Sequence, residues 1–145
     1  MRKTTPEDGP EILEMLTDYF IENQHIMPMH IKLDIKNCRQ FLETALGHGD
    51  LISFISDDGV IMGDLAQTWF GPNRVARGVL WYVRPRARNG LLARRLLNAF
   101  DDEAKNRGAI YSKQDLDNPA HLQIIERFVG HCGYREFSKS FLKEF

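Results

Sequence analysis

The sequence predicts a mixed α/β (α+β) fold in a single domain spanning residues 1–145, with a mostly antiparallel sheet that carries helices on both faces. Three observations predict it. Two segments with helical spacing of apolar residues come first along the chain. Three strand-like runs joined by tight-turn sequences follow them. A helical segment then separates the third run from a further apolar run, which is the pattern of a β-α-β crossover. The predicted order is therefore β-α-α-β-β-β-α-β-α-β.

The first part of the chain reads as a short strand at residues 2–4 followed by two helices. In "EDGPEILEMLTDYF", we expect Asp8 to be the N-cap, with Pro10 in the first turn and Glu11 three residues on. The apolar residues that then share one helical face are Ile12, Met15, Leu16, Tyr19 and Phe20. After the loop "NQHIMPMHIKLD", Gly47 ends a second helix. Its apolar face is marked by Cys38, Phe41, Leu42 and Ala45.

The middle of the chain changes to the spacing of strands. "LISFIS" and "VIMGDLAQTWF" flank the turn sequence "DDG" at 57–59, which predicts a hairpin. The turn "GPN" leads into a third strand, "RVARGVLWYV", which Pro85 ends. Gly78 lies within this strand. It either marks a bulge that opens a sheet edge or is kept for packing.

The last third alternates again between helix and strand. A helix starts near Gly90 and closes at Gly108, and "AIYS" follows as a short buried strand. Asn118 is predicted to cap a further helix with Pro119 at its first position. One face of that helix carries Ile125, Phe128 and Cys132. "GYREFSKSFLKEF" alternates as a last strand.

Composition excludes several classes of protein. A formal net charge of −1 is unlike the broad basic surface of a nucleic-acid-binding protein, so no nucleic-acid partner is expected. No run approaches the ~20 apolar residues of a membrane span, and "MRKTTPEDGP" lacks the apolar centre of a signal peptide. Two cysteines, Cys38 and Cys132, form no disulfide framework. We therefore expect a cytoplasmic protein with reduced thiols and no membrane partner.

Positive charge is concentrated in "WYVRPRARNGLLARRLL", residues 81–97. This stretch contains five arginines and no acidic residue, so the rest of the chain has 14 basic and 20 acidic residues and a charge of −6. Arginines next to a helix N-terminus oppose the helix dipole unless an anion is present, and the first-turn amides of a helix bind anions. Asn89 and Gly90 suit a loop whose amides point into one concavity. The stretch thus predicts a phosphate site, although arginines that only solvate a surface are the alternative.

The same stretch resembles a known family. "VRPRARNGLLARRLL" resembles motif A of the GNAT superfamily of N-acetyltransferases, in which a strand and V-x-P lead into Arg/Gln-x-x-Gly-x-Gly/Ala. "NPAHLQIIERFVGHCGY" resembles the family's motif B, and the element order and chain length also match. One departure is that Leu91 stands where the central glycine is usual, while Ala93 keeps the last small position.

The resemblance implies acetyl-coenzyme A as the cosubstrate and no metal. In the family this molecule lies between two splayed strands, expected here at 74–84 and 109–115, with its pantetheine paired to a strand edge. An N–H such as that of Val83 would stabilise the oxyanion. The residues that the resemblance assigns to the cofactor are Trp81, Tyr82, Val83, Arg88, Asn89, Gly90, Leu91, Leu92, Ala93, Arg94 and Asn118.

Candidates for acid or base are fewer. The tyrosine that the family uses in motif B falls here at Ile125 or Val129, and no tyrosine lies between residues 112 and 133. The candidates are Asp115 and His30, with Asp64 and His25 behind them, and each has a plainer interpretation as a turn or surface residue. Trp69 and Trp81 read as core or pocket-wall residues. No HExxH or CxxC pattern predicts a metal site.

Three functions follow from these observations. The first is an acetyl-coenzyme A-dependent N-acetyltransferase that moves the acetyl group directly to a primary amine, on a small molecule or on a protein. The second is a non-catalytic protein of the same fold that binds an acyl-coenzyme A or serves an assembly, which the missing tyrosine favours. The third, a nucleic-acid-binding module, is opposed by the acidic remainder of the chain. The resemblance also leaves a homodimer open.

Overall fold

The structure, a computed structural model, describes residues 1–25, 32–115, 122–138 and 143. The order of elements in these residues follows the sequence prediction as far as the second-last element. The strands are β1 (Arg2–Lys3), β2 (Leu51–Ser56), β3 (Gly59–Gln67), β4 (Arg74–Val83) and β5 (Ala109–Lys113). The helices are α1 (Gly9–Asn23), α2 (Ile35–Leu46), α3 (Leu91–Asn106) and α4 (Leu122–His131).

The five strands form one sheet in the order β1-β2-β3-β4-β5. β1 to β4 pair with one another antiparallel, and Asp57 and Asp58 form the predicted hairpin turn between β2 and β3. β4 and β5 are parallel because α3 crosses over between them. The mixed, mostly antiparallel sheet is thus confirmed.

Helices cover both faces of this sheet, as predicted. On one face, α1 and α2 bury Ile12, Met15 and Leu42 against alternate strand residues such as Val60 and Leu80. On the other face, α3 and α4 bury a second cluster that includes Leu96, Leu97, Phe100 and Val129 together with Ile61 and Val83. Because both faces are buried, successive residues of β3 enter opposite cores.

Asp8 does not cap α1 as expected. Its side chain makes no capping hydrogen bond to α1 and instead accepts hydrogen bonds from the Thr5 N–H at 2.7 Å and from Arg2 at 2.6 and 2.7 Å. The hydrogen bond from Arg2 lowers the pKa of Asp8 to about 2. The carboxylate therefore ties the N-terminal strand to the 3₁₀ turn at Pro6–Asp8 before α1 begins.

Two predictions about burial and one about a strand differ from the structure. β5 is an edge strand among the described residues, with Ile110 60% and Tyr111 43% exposed, and is not a buried one. Trp69 is 94% exposed at the turn after β3, because the chain reverses there and leaves no helix over it. Residues 134–138 form no strand, and the rest of the predicted last strand, apart from residue 143, lies outside the described residues.

Cys38 and Cys132 are both unpaired, as expected. Within the described ranges, no helix is both long enough and apolar enough to cross a membrane.

Candidate functional site

A cleft opens where β4 and β5 stop pairing. The two parallel strands are in register from Arg74 and Ala109 as far as Arg77 and Lys113, and β4 then continues alone to Val83. The space beyond the last pair has a volume of about 440 Å³. Its wall is formed by the free part of β4, the two residues after β5, the start of α3, the end of α1 and one face of α4. The expected splay between these two strands is thus present.

A bulge in β4 lies at the point of this cleft where β4 and β5 separate. Met62 pairs with Leu80 whereas Gly63 pairs with Gly78, so Val79 has no partner on β3. An extra residue bends and twists a strand locally. The bulge therefore starts immediately after the last pair with β5, in agreement with the first of the two interpretations of Gly78, a bulge that opens the sheet edge.

The free edge of β4 presents the backbone groups of alternate residues. The Arg84 N–H donates to Asp58 O at 2.8 Å, so even-numbered residues of this part of β4 bond to β3. The backbone of Tyr82 is therefore turned towards Val60 and not towards the cleft, contrary to the expectation from the resemblance. The backbone groups of Trp81 and Val83 face the cleft, and Val83 O already accepts a hydrogen bond from Arg88 Nε at 2.8 Å.

The N-terminus of α3 lies at the mouth of the cleft. Gly90 precedes the helix with φ +84°, a left-handed conformation that favours glycine, and both Gly90 and Ala93 line the cleft. Asn89 Oδ1 accepts a hydrogen bond from the Leu91 N–H at 3.1 Å. The next two amides, of Leu92 and Ala93, have no intrahelical acceptor because they belong to the first turn. These two N–H groups, together with the helix dipole, form an anion-binding position.

The three arginines before Asn89 have carboxylate partners in the fold. Arg84 lies 3.4 Å from Glu14, and Arg86 Nε donates to Asp58 at 2.6 Å. The guanidinium of Arg88 donates to both carboxylate oxygens of Glu22, with Nη2 2.6 Å from Oε2. Their charge is therefore largely neutralised within the protein.

The two arginines on α3 are different. Arg94 and Arg95 are exposed, and neither has a carboxylate partner among the described residues. The guanidinium carbon of Arg94 lies 5.9 Å from the ring centre of Phe128, which itself lines the cleft. Arg94 thus places an uncompensated positive charge beside the cleft.

One wall of the cleft was not expected from the sequence. It consists of Tyr19 and Glu22 of α1 packed against Tyr82 and Arg88, with the Arg88 guanidinium 5.5 Å from the Tyr82 ring centre and the two tyrosine rings 6.3 Å apart, edge to face. Burial raises the pKa of Tyr82, and the negative charge of Glu22 raises it further. Tyr82 therefore stays a neutral phenol at physiological pH. The i, i+4 spacing of Glu14, Asp18 and Glu22 was the available signal for this acidic side of α1.

Two polar groups in the cleft are buried without a partner. Only three buried side-chain nitrogens of the described residues make no hydrogen bond: Trp81 Nε1, Gln114 Nε2 and Arg84 Nε. Trp81 and Gln114 both line the cleft. An unpaired buried donor costs about 1–3 kcal/mol, so acceptor atoms of a ligand at these two positions would stabilise the site.

The predicted catalytic candidates are scattered. Asp115 lines the cleft, where its carboxylate lies 3.0 Å from Lys113 Nζ. Asp64 accepts two hydrogen bonds from Arg77, at 2.5 and 3.0 Å, and does not line the cleft. His25 is exposed at the end of α1, and His30 lies outside the described residues. Only Asp115 of the four is placed by the structure at the cleft.

Most of the predicted cofactor-binding residues lie at the cleft. Trp81, Tyr82, Val83, Arg88, Gly90 and Ala93 line the cleft, and Ile125 and Phe128 of α4 form its far side. Asn118, the expected motif B asparagine, lies outside the described residues. Within the part of the chain that is described, no group of three or more His, Cys, Asp or Glu side chains is arranged to hold a metal ion.

Comparison with proteins of known structure identifies the fold. No protein-family model and no curated protein matches the sequence. Among solved structures, the chain is similar to a provisionally assigned acetyltransferase from Arthrobacter sp. FB24, with a TM-score of 0.77 and 21% identity over 99% of this chain and 94% of the other. It is similar to the ribosomal-protein-alanine N-acetyltransferase of Brucella melitensis biovar Abortus 2308, with a TM-score of 0.68 and 14% identity over 98% and 96% of the two chains.

A third similar structure is an aminoglycoside acetyltransferase from an uncultured soil metagenomic sample, solved in complex with sisomicin. Its TM-score is 0.68, with 12% identity over 99% of this chain and 94% of the other. The similarity extends over nearly the whole length of each of these chains. The chain therefore has the GNAT-type acetyltransferase fold.

Proposed function

We propose, with the GNAT fold as the premise, that this protein is an acetyl-coenzyme A-dependent N-acetyltransferase that moves an acetyl group directly to a primary amine. The observation that carries the proposal is the cleft between β4 and β5, which joins a free strand edge to the first turn of α3. A long ligand with phosphates at one end and amides along its length matches these two features. Coenzyme A is such a ligand.

The phosphates belong at the mouth of the cleft in this proposal. The N–H groups of Leu92 and Ala93 and the helix dipole would hold the pyrophosphate, and Gly90 lets the backbone approach closely. Arg94 would supply positive charge from the side. The guanidinium of Arg88 is already held by Glu22 and Val83, so its proposed role is to fix the loop before α3.

The pantetheine arm would run along the free edge of β4. The outward-facing backbone groups of Trp81 and the N–H of Val83 offer hydrogen bonds to its amides, which is a form of strand addition. The thioester would then reach the bulge at Val79, where β4 and β5 separate. Holding thioester and amine together there supplies a large part of the rate.

The acceptor amine would approach from the side of α1, where Tyr19, Glu22 and Tyr82 form the wall. Attack needs the unprotonated amine, and a lysine-type amine has a pKa of about 10.4 in water. Asp115 at the opposite rim is the proposed acceptor of that proton. A small molecule, a peptide or a protein would each satisfy this chemistry.

Two measurements test the proposal. Acetyl-coenzyme A is titrated into the protein by calorimetry, with AMP and dephospho-coenzyme A as controls, and thiol release is then followed with a panel of amines. Micromolar binding of acetyl-coenzyme A and amine-dependent thiol release are expected. Absence of binding would refute the proposal.

A second function is favoured by one observation, the absence of a tyrosine from α4. A protein of this fold that binds an acyl-coenzyme A as a ligand, or serves an assembly, would have no need of an acid for the departing thiolate. Binding of acetyl-coenzyme A without thiol release across the amine panel would favour this alternative. A cytoplasmic location, where acetyl-coenzyme A is made and used, belongs to both proposals.

A further inference from the structure

The side chain of Gln114 occupies the apex of the cleft. Gln114 follows directly after Lys113, the last residue of β5 that pairs with β4, and it faces Gly78 at the point where the two strands separate. A Cβ atom on residue 78 would lie 1.8 Å from Gln114 Oε1 and 3.0 Å from Nε2. The absence of a side chain at Gly78 is therefore what lets the carboxamide lie against the backbone of β4.

The amide nitrogen of this residue has no partner. Gln114 Nε2 is buried and makes no hydrogen bond of normal geometry among the described residues, and its remaining polar contact there is an approach of the Gln114 side chain to the Tyr134 hydroxyl, which acts to lower the pKa of that phenol. The Tyr134 hydroxyl itself donates to Asp101 at 2.6 Å, and burial and this contact raise its pKa overall. The buried N–H₂ group of Gln114 is thus unsatisfied beside the cleft that Gln114 lines.

We propose that Gln114 is a catalytic residue whose Nε2 donates a hydrogen bond to the carbonyl oxygen of the bound thioester at the apex of the cleft. This inference rests on the proposed function and adds a side-chain donor to it. A carbonyl oxygen would accept the hydrogen bond that Gln114 Nε2 leaves unmade. In the proposed function, the thioester is the part of the ligand that reaches the bulge in β4.

The donor acts on the charge that develops during transfer. The amine nitrogen attacks the carbonyl carbon, a carbon–nitrogen bond forms, and the carbonyl electrons move to the oxygen, where Gln114 Nε2 stabilises the negative charge. The oxyanion collapses, the carbon–sulfur bond breaks and the thiolate leaves. The amine loses one proton and the thiolate gains one, so the products are the N-acetyl amine and coenzyme A.

The test separates this contact from a purely structural role as a spacer between strands. Gln114→Met keeps the length and volume of the side chain and removes the donor. Gln67→Met is the matched control, since Gln67 is the exposed last residue of β3. Affinities for acetyl-coenzyme A and for S-ethyl-coenzyme A, which lacks the carbonyl oxygen, are measured by calorimetry for all three proteins.

We expect the unsubstituted protein to prefer acetyl-coenzyme A over the thioether by about threefold to tenfold, the value of one neutral hydrogen bond. The preference should disappear in Gln114→Met and persist in Gln67→Met, while affinity for the thioether stays within twofold in all three. The infrared carbonyl stretch of bound acetyl-coenzyme A should also move to higher frequency in Gln114→Met.

Two outcomes would overturn the inference separately from the proposed function. If both ligands bind, and Gln114→Met changes neither the preference nor the carbonyl stretch, Gln114 is only a spacer and the cofactor site stands. If the unsubstituted protein binds neither ligand, the proposed function fails and this inference fails with it. Circular dichroism of each variant confirms that the fold is retained.

Discussion

The arginines on the two sides of Asn89 and Gly90 have different surroundings. Before the loop, Arg84, Arg86 and Arg88 lie against carboxylates from α1 and from the β2–β3 turn. After it, Arg94 and Arg95 on α3 have no carboxylate partner among the described residues. One continuous run of positive charge in the sequence is thus two different features in the fold.

This difference shows which charge is available to a ligand. A guanidinium that already donates to a carboxylate offers little to a phosphate unless the ion pair is broken. The helix N-terminus gains its anion-binding character from Leu92, Ala93 and the α3 arginines. The arginines before the loop hold β4, the loop and α1 together. The predictions that follow test this division, from the largest expected effect to the smallest.

Removing the α3 arginines should have the largest effect on the ligand. We expect the double variant Arg94→Ala, Arg95→Ala to bind coenzyme A about 10- to 100-fold more weakly, because a charge-assisted hydrogen bond contributes about 1.5–3 kcal/mol. Its free energy of unfolding should change by less than about 0.5 kcal/mol, since both side chains are exposed. Arg86→Ala is the matched control from the other side of the loop and should leave the affinity unchanged. Equal weakening in both variants would refute the division.

A carboxylate partner that is well buried should make stability depend on pH, and Asp8 with Arg2 is the example. The pKa of Asp8 is lowered from its ordinary value of 3.8 to about 2 by Arg2. The contribution of the ionised carboxylate is therefore complete above pH ~4 and is lost as the pH falls towards 2. Between pH 5 and pH 2, the free energy of unfolding obtained from thermal unfolding should fall by an amount of the order of 1 kcal/mol that is absent in Asp8→Asn.

The exposed turn residue Asp57 supplies the control for that experiment. Asp57→Asn should keep the full loss of stability of the unsubstituted protein over the same pH range. If Asp8→Asn behaves in the same way as Asp57→Asn, the pair with Arg2 does not set the acid stability.

The pair between Arg88 and Glu22 should stabilise the fold more than the pair between Arg86 and Asp58. The side chains of the first pair are 35% and 27% exposed, whereas that of Arg86 is 67% exposed. Double-mutant cycles to alanine, measured by urea unfolding, should give a coupling of about 1 kcal/mol for the first pair and less than about 0.5 kcal/mol for the second. A coupling near zero for Arg88 and Glu22 would leave Arg88 free to bind phosphate.

The smallest effects are expected from Asn89→Asp, and they should have opposite signs for stability and for binding. An aspartate keeps the acceptor for the Leu91 N–H and adds a negative charge at the start of α3. It should raise the free energy of unfolding by about 0.3–1 kcal/mol and weaken coenzyme A binding severalfold. Asn106→Asp, at the other end of α3, is the control with the same change in net charge. Asn106→Asp should neither raise the free energy of unfolding nor weaken coenzyme A binding.

Most of the fold could be predicted from the sequence because its signals are local. Alternating apolar residues and the turn "DDG" specify the β2–β3 hairpin, and Gly90 and Gly108 bound α3. The failures arose where tertiary contacts decide. Asp8 could cap a helix or pair with Arg2, six residues earlier, and only the path of the folded chain places Arg2 next to it. The exposure of Trp69 depends on which elements cover the turn.

The candidate site was predicted less completely. Motif resemblance placed the residues around Gly90, but the partners of Arg88 come from α1, 66 residues away in the chain. Gln114 has no local pattern that marks it, and the i, i+4 spacing of Glu14, Asp18 and Glu22 indicates an acidic helix face but not its partner. Their positions follow from the register of β4 with β5 and from the packing of α1 on β4, and neither is visible in a single sequence.

The central claim is that coenzyme A lies between β4 and β5 with its phosphates on the first turn of α3. The most direct test is amide chemical-shift mapping by NMR as coenzyme A is added to the ¹⁵N-labelled protein. The account predicts the largest changes at Gly90, Leu92, Ala93, Trp81 and Val83, with little change in α2 and β2. No change, or changes centred on another surface, would contradict it.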